Sequence, residues 1–164
     1  MNKIGLLLED LHDAETELAH EYRIVAERQA AEQDVYYLCH TLAKQSEEHG
    51  EQLRAIAERF DKDLSEPHSN RLANVMAGVR HKSSELLGRR PESGLLLLRD
   101  LRQLFLMAQE VNVHWLVLGQ VAQAVRDQDL LDQVSDLHKQ TLTQIKWLKT
   151  RIKESSPQVL VVSG

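Results

Sequence analysis

The sequence predicts an all-α protein: an up-down four-helix bundle of two antiparallel hairpins, joined by a crossover that carries a short extra helix. Three observations predict it. The 164-residue chain is dominated by good helix formers, and its three prolines, Pro67, Pro91 and Pro157, leave helix-length blocks between them. Apolar residues recur at about 100° per residue through each block. Within the first and last blocks, a short polar stretch marks a tight turn that folds the block into a hairpin.

The elements follow in order. Helix 1 runs from Asn2 to the polar stretch Ala31-Glu32-Gln33-Asp34, with Leu7, Leu11, Ala14, Leu18 and Val25 on one face. Asp34 is placed to N-cap helix 2, which continues to Phe60. Its stripe holds Val35, Leu38, Leu42, Leu53, Ile56 and Phe60, and Ser46 and His49 fall inside it. Residues 61–70 read as a connector, and Arg71–Leu87 as the crossover helix, closed by Gly88. Helix 3 spans Gly94–Val125. Its inner stripe, from Leu97 through Leu104 and Trp115 to Ala122, is wholly apolar, so no carboxylate is expected to face inward from it. Leu98, Phe105, Val113, Leu116 and Val117 make its other sides apolar too, and such a helix is buried on more than one side, by the crossover or by a second subunit. Arg126-Asp127-Gln128-Asp129 marks the second turn. Helix 4 covers Leu130–Glu154, with Leu130, Val134, Ile145, Leu148 and Ile152 aligned and His138 and Thr141 among them.

Residues 1–155 thus read as one bundle and residues 156–164 as a separate tail. After the stop at Pro157, Val159-Leu160-Val161-Val162 is mostly β-branched and is expected to leave the helix, folding back onto the bundle or docking into a partner by strand addition.

Composition narrows the function classes. Hydrophobic residues at 42% and charged residues at 27% suit a globular domain. A net charge of −5 argues against a nucleic-acid partner, which would want a basic face. Cys39 is the single cysteine, so no intrachain disulfide can form and a reducing cytoplasm fits. The apolar run in Met1–Leu8 is too short for a signal peptide or a membrane span. No nucleophile with its base, phosphate loop or cofactor fingerprint appears, so a conventional enzyme is not expected.

Two short patterns carry the chemistry. Ser46-Glu47-Glu48-His49 and Ser135-Asp136-Leu137-His138 place a histidine where each stripe would otherwise have a leucine. A buried imidazole needs partners for both ring nitrogens. The hairpin register sets His49 level with Glu17 or thereabouts, and Glu21 lies one turn further on. Glu17, Glu21, His49 and His138 therefore form the candidate polar group, as metal ligands or as a structural network. His20 points away from the stripe, and Glu110 and His114 read as a surface pair.

The element order and the paired Ser-x-x-His pattern resemble the ferritin-like superfamily, especially its small bacterial bundles. The segments Leu8-Glu9-Asp10-Leu11-His12-Asp13-Ala14-Glu15 and Ser46-Glu47-Glu48-His49-Gly50-Glu51-Gln52-Leu53 carry most of the likeness. The resemblance implies a cytoplasmic bundle, often dimeric, with carboxylates and histidines around two irons. Glu17 or Glu21 matches the first-helix ligand, and His49 and His138 the two histidines. Ser46 and Ser135 stand where the family has glutamates, and the third-helix glutamate has no match. The implied site is a degenerate di-iron centre, holding one or two cations of iron or another divalent metal. Hemerythrin-type bundles need His-x-x-x-His, which is absent. The tail also looks like the short peptides by which ferritin-like cargo is packed into protein shells. The alternative is a metal-free interaction or scaffold bundle. On either reading the apolar third helix predicts a homodimer or larger oligomer that buries Phe105, Leu116 or Val117.

Overall fold

A computed structural model describes residues 1–64 and 92–162. They form four long helices, α1 (Lys3–Arg28), α2 (Gln33–Glu58), α3 (Ser93–Ala124) and α4 (Gln128–Pro157), followed by a π-helical turn at Gln158–Val162. No strand occurs among the described residues, and no described helix is long and apolar enough to cross a membrane. The expected crossover helix, Arg71–Leu87, lies outside the described residues.

Helix ends show how local chemistry sets the frame. Asn2 caps α1 by accepting the Gly5 N–H at 2.8 Å, and its amide donates to the Phe60 carbonyl at 2.7 Å. One side chain thus ties the start of α1 to the end of α2. The first turn closes at Gln29–Glu32, about two residues earlier than expected. Glu32 rather than Asp34 is the N-cap, and Asp34 sits in the first turn, where its charge suits the helix dipole. Asp127 caps α4, accepting the Leu130 N–H at 3.0 Å.

Cross-helix pairs fix the directions. Asn2 meets Phe60 and Arg23 meets Glu47, so α1 and α2 are antiparallel. Arg28 meets Asp100 while Glu15 meets Trp115, so α1 and α3 are antiparallel. Gln144 meets Gln45 and Gln133 meets Gln52, which sets α4 against α2. Asn112 meets His138 and Gly119 lies against Val134, which sets α4 against α3. Hence α1 and α4 point one way and α2 and α3 the other, and residues 59–92 connect opposite ends of the bundle. Leucine is the commonest residue of the core between them, and Tyr22 and Trp115 are its largest fully buried side chains.

Three expectations change. On α4 the inward sequence is Leu130, Val134, Leu137, Thr141, Gln144, Leu148, so Leu137 and not His138 fills the stripe. On α3 a carboxylate does face inward: Asp100 is buried and meets Arg28 and Gln29. At the C-terminus α4 includes Pro157 as its last residue, and the backbone widens into the π-helical turn directly after it. The chain then turns as a wide helical loop that lays Val159 against Gly94. A Cβ on Gly94 would sit 3.0 Å from the Val159 side chain, so a larger residue there would push Val159 out by a few tenths of an ångström or more. Leu160, Val161 and Val162 stay exposed.

Candidate functional site

All four helices deliver side chains to a buried polar centre. Glu15 lies on α1 between Leu11, Leu18 and Tyr22 at core-facing spacing and is fully buried. His49 of α2 sits opposite, 1% exposed, with Nδ1 2.6 Å from Glu15 Oε2. Its Nε2 lies 2.9 Å from Oε1 of Gln140 on α4. Trp115 of α3 closes the fourth side, its ring edge-on to the imidazole with centroids 5.9 Å apart. Ser46, one turn before His49, completes the group.

Proton bookkeeping follows from these contacts. Both partners of His49 are acceptors, a carboxylate and an amide oxygen, so the ring donates from Nε2 to Gln140. The Glu15 contact then needs one further proton, carried either on Nδ1 or on the carboxyl. Burial pushes Glu15 above the usual carboxylate range, against the opposing pull of His49, Trp115 and Ser46. Burial would lower His49, but the bonds to Glu15 and Gln140 outweigh it and raise the imidazole above its ordinary value. The pair therefore retains its shared proton where free side chains would release it. Ser46 Oγ and Trp115 Nε1 also face this carboxylate, yet neither they nor Glu15 Oε1 closes a hydrogen bond of normal length.

A second polar row continues the network. The Tyr22 hydroxyl donates to Gln144 Oε1 at 2.9 Å, and Gln144 Nε2 donates to Gln45 Oε1 at 2.7 Å. Burial, with Cys39 and Glu15 nearby, holds the Tyr22 phenol well above its ordinary value, so it stays a donor. Burial pushes the Cys39 thiol up to about 12, which leaves it no nucleophilic character at neutral pH. On the outer side of α1 and α2 a cleft of about 300 Å³ is lined by His12, His20, Arg23, Ser46, Gly50 and Arg54, among others. Its arginines are balanced: Arg23 pairs with Glu47 and Arg54 with Glu51.

The four candidate residues do not close into one site. His49 is at the centre, but its carboxylate is Glu15. Glu17 lies about 200° further round the helix, and Glu21 sits 3.9 Å from Arg28, which also pairs with Asp100. Both glutamates are buried, on the flank of α1. His138 is half-buried with Nε2 2.6 Å from Asn112 Oδ1, and burial lowers its pKa. It stands about 100° from Leu137, which explains its displacement from the core. Glu15 could have been found from the spacing Leu11, Glu15, Leu18, Tyr22, and Asp100 from its place between Leu97 and Leu104.

Among the described residues, no three His, Cys, Asp or Glu side chains group as a metal cage. Around His49 the donors are one carboxylate, one imidazole, a hydroxyl, an amide and an indole N–H. This set does not fit a pair of irons. The indole N–H can only donate, and a lone carboxylate can neither bridge nor balance two cations. Compared with protein-family models, curated proteins and solved structures, the chain matches none.

Proposed function

We propose that this protein is a ferritin-like bundle acting as a metal-free, homodimeric interaction or scaffold module in the cytoplasm. In this reading the Glu15–His49 pair is a structural, proton-sharing centre at the level where such bundles hold metal. The observation that carries it is the engagement of both His49 ring nitrogens by protein acceptors, at 2.6 and 2.9 Å. The helix directions, with a long connection between α2 and α3, support the ferritin-like architecture. The exposed apolar side chains along α3, Leu106, Val113, Leu116 and Val117, support an interaction role. Elemental analysis of untagged protein, purified without chelator, tests it. We expect metal far below one ion per chain and a dimer by light scattering. Stoichiometric metal would overturn the metal-free reading.

A second reading has one observation in its favour. Glu15 Oε1 is buried beside His49 and makes no hydrogen bond, so one divalent cation could displace the shared proton. Zinc there would sit ~2.0–2.1 Å from the ring nitrogen and raise the melting temperature when added.

A further inference from the structure

Besides its core stripe, α3 carries an outward one. Leu95, Leu106, Val113 and Val117 are 42%, 51%, 54% and 44% exposed and fall on the side of the helix opposite Leu104 and Trp115. The charges interleaved with them are segregated by sign. Arg99 and Arg102 lie in the N-terminal half of the stripe and Glu110 in the C-terminal half, all exposed. Within its own chain Glu110 lies 4.0 Å from His114.

We propose that two copies of the chain pack α3 against α3, antiparallel, about a two-fold axis at Leu106. This deepens the homodimer reading above and rests on it. In that register Leu106 meets its own copy, and Leu95 meets the partner's Val117. Arg99 lies along the partner's Val113, and Arg102 faces the partner's Glu110. Symmetry makes each unlike pair twice, so the interface holds two Arg102–Glu110 contacts flanked by apolar ends. A parallel packing would set Arg99 on Arg99, Arg102 on Arg102 and Glu110 on Glu110, and like charges in direct opposition are selected against. Sign segregation along the stripe therefore chooses both the partner, a second copy, and its direction. Leu98, Phe105 and Leu116 widen the contact on one side.

Thiol cross-linking reads the register directly. Cys39 is buried and its thiol held protonated, so it leaves the background clean. Leu95 and Val117 are ~33 Å apart along the helix. With a short bis-maleimide, L106C should cross-link to itself, and L95C mixed with V117C should form a heterodimer. L95C alone and V117C alone should stay uncoupled. Arg102→Glu and Glu110→Arg should each weaken the dimer at least about tenfold, and the double swap should restore it; circular dichroism should show all three folded. Coupling of L95C with itself, in a protein that is a dimer by light scattering, overturns the antiparallel register and leaves the homodimer reading standing. A monomer at micromolar concentration overturns both.

Discussion

Glu15 and His49 share a proton while both are buried, so removing one partner and removing both have opposite consequences. His49→Leu leaves a buried carboxylate without its partner and should cost about 3 kcal/mol in denaturant unfolding, the scale of a broken buried pair. Replacing Glu15 and His49 together by leucine should recover most of that, because an apolar pair of similar volume suits the same space. A double variant as unstable as the single one would show that Ser46, Trp115 and Gln140 depend on the pair. The pH dependence has a definite sign. Glu15 and His49 both titrate above their ordinary values in the fold, so the native chain holds protons that the unfolded chain releases. The His49 contribution is complete below its unfolded value of 6.5 and is lost as pH rises through its raised native one. Glu15 acts in the same sense above 4.5. His12 and His138 act oppositely, since burial lowers both: their contribution is complete above 6.5 and is lost as pH falls below it. Stability should therefore decline as pH rises above 6.5 and through the raised native value of His49, and less so in the double leucine variant. An unchanged slope in that variant would remove the shared proton from the account. His49 was legible in the sequence because an imidazole interrupts an apolar stripe. Its partner was not, because one helix's period fixes an angle but not the height of the residue facing it. With the first turn closing earlier than its polar stretch suggested, the partner of His49 moves from Glu17 toward Glu15.

At the scale of elements, buried polar ties join helix ends that leucines alone would leave free to slide. Arg28 grips Asp100 through Nε and Nη2, both at 3.0 Å, and Gln29 adds a bond at 2.9 Å. Asp100→Ala removes the close partner of a mostly buried guanidinium, leaving it Glu21 at 3.9 Å, and should cost about 2 kcal/mol by thermal or denaturant melting, most of it recovered in Arg28→Met/Asp100→Leu. The fraying it causes should appear in amide exchange at the end of α1 and the start of α3. The tail behaves differently. Gly94→Val would overlap the Val159 side chain, so we expect the turn Gln158–Val162 to lift. Its amides should exchange several-fold faster while the rest of α4 keeps its protection, and unchanged exchange would show that the contact with Gly94 does not hold the turn. The four long helices were readable because each carries a sustained 3.6-residue period. Pro157 misled because its missing N–H and its ring act on the turn before it, where they end the α-helical bonding without stopping the chain from coiling on as a wider turn. The exposed Leu160, Val161 and Val162 remain the segment to delete when testing whether the tail docks a protein partner or shell.

For the whole molecule, the hydrophobicity of α3 on several sides was, with the apolar tail, a sequence signal pointing beyond a single chain, and the structure sharpens which residues express it. Phe105 packs half-buried against its own core, whereas Leu106 and Leu116, ten residues apart along the outer side, are both more than half exposed. The test belongs on these two, since substituting Phe105 would disturb the monomer as well. If the native state is a dimer and the unfolded state is not, mass action makes the melting temperature depend on protein concentration. Each tenfold increase adds about 1.4 kcal/mol per dimer, roughly 2 °C for two chains of this size. Leu106→Glu places two carboxylates at the two-fold axis and should give a monomer whose melting temperature is flat with concentration. It should coincide with the dilute limit of the parent, because an exposed leucine contributes little to its own bundle. Should Leu106→Glu keep both the dimer mass and the concentration dependence, the association runs through another face, and the outward stripe of α3 loses its role.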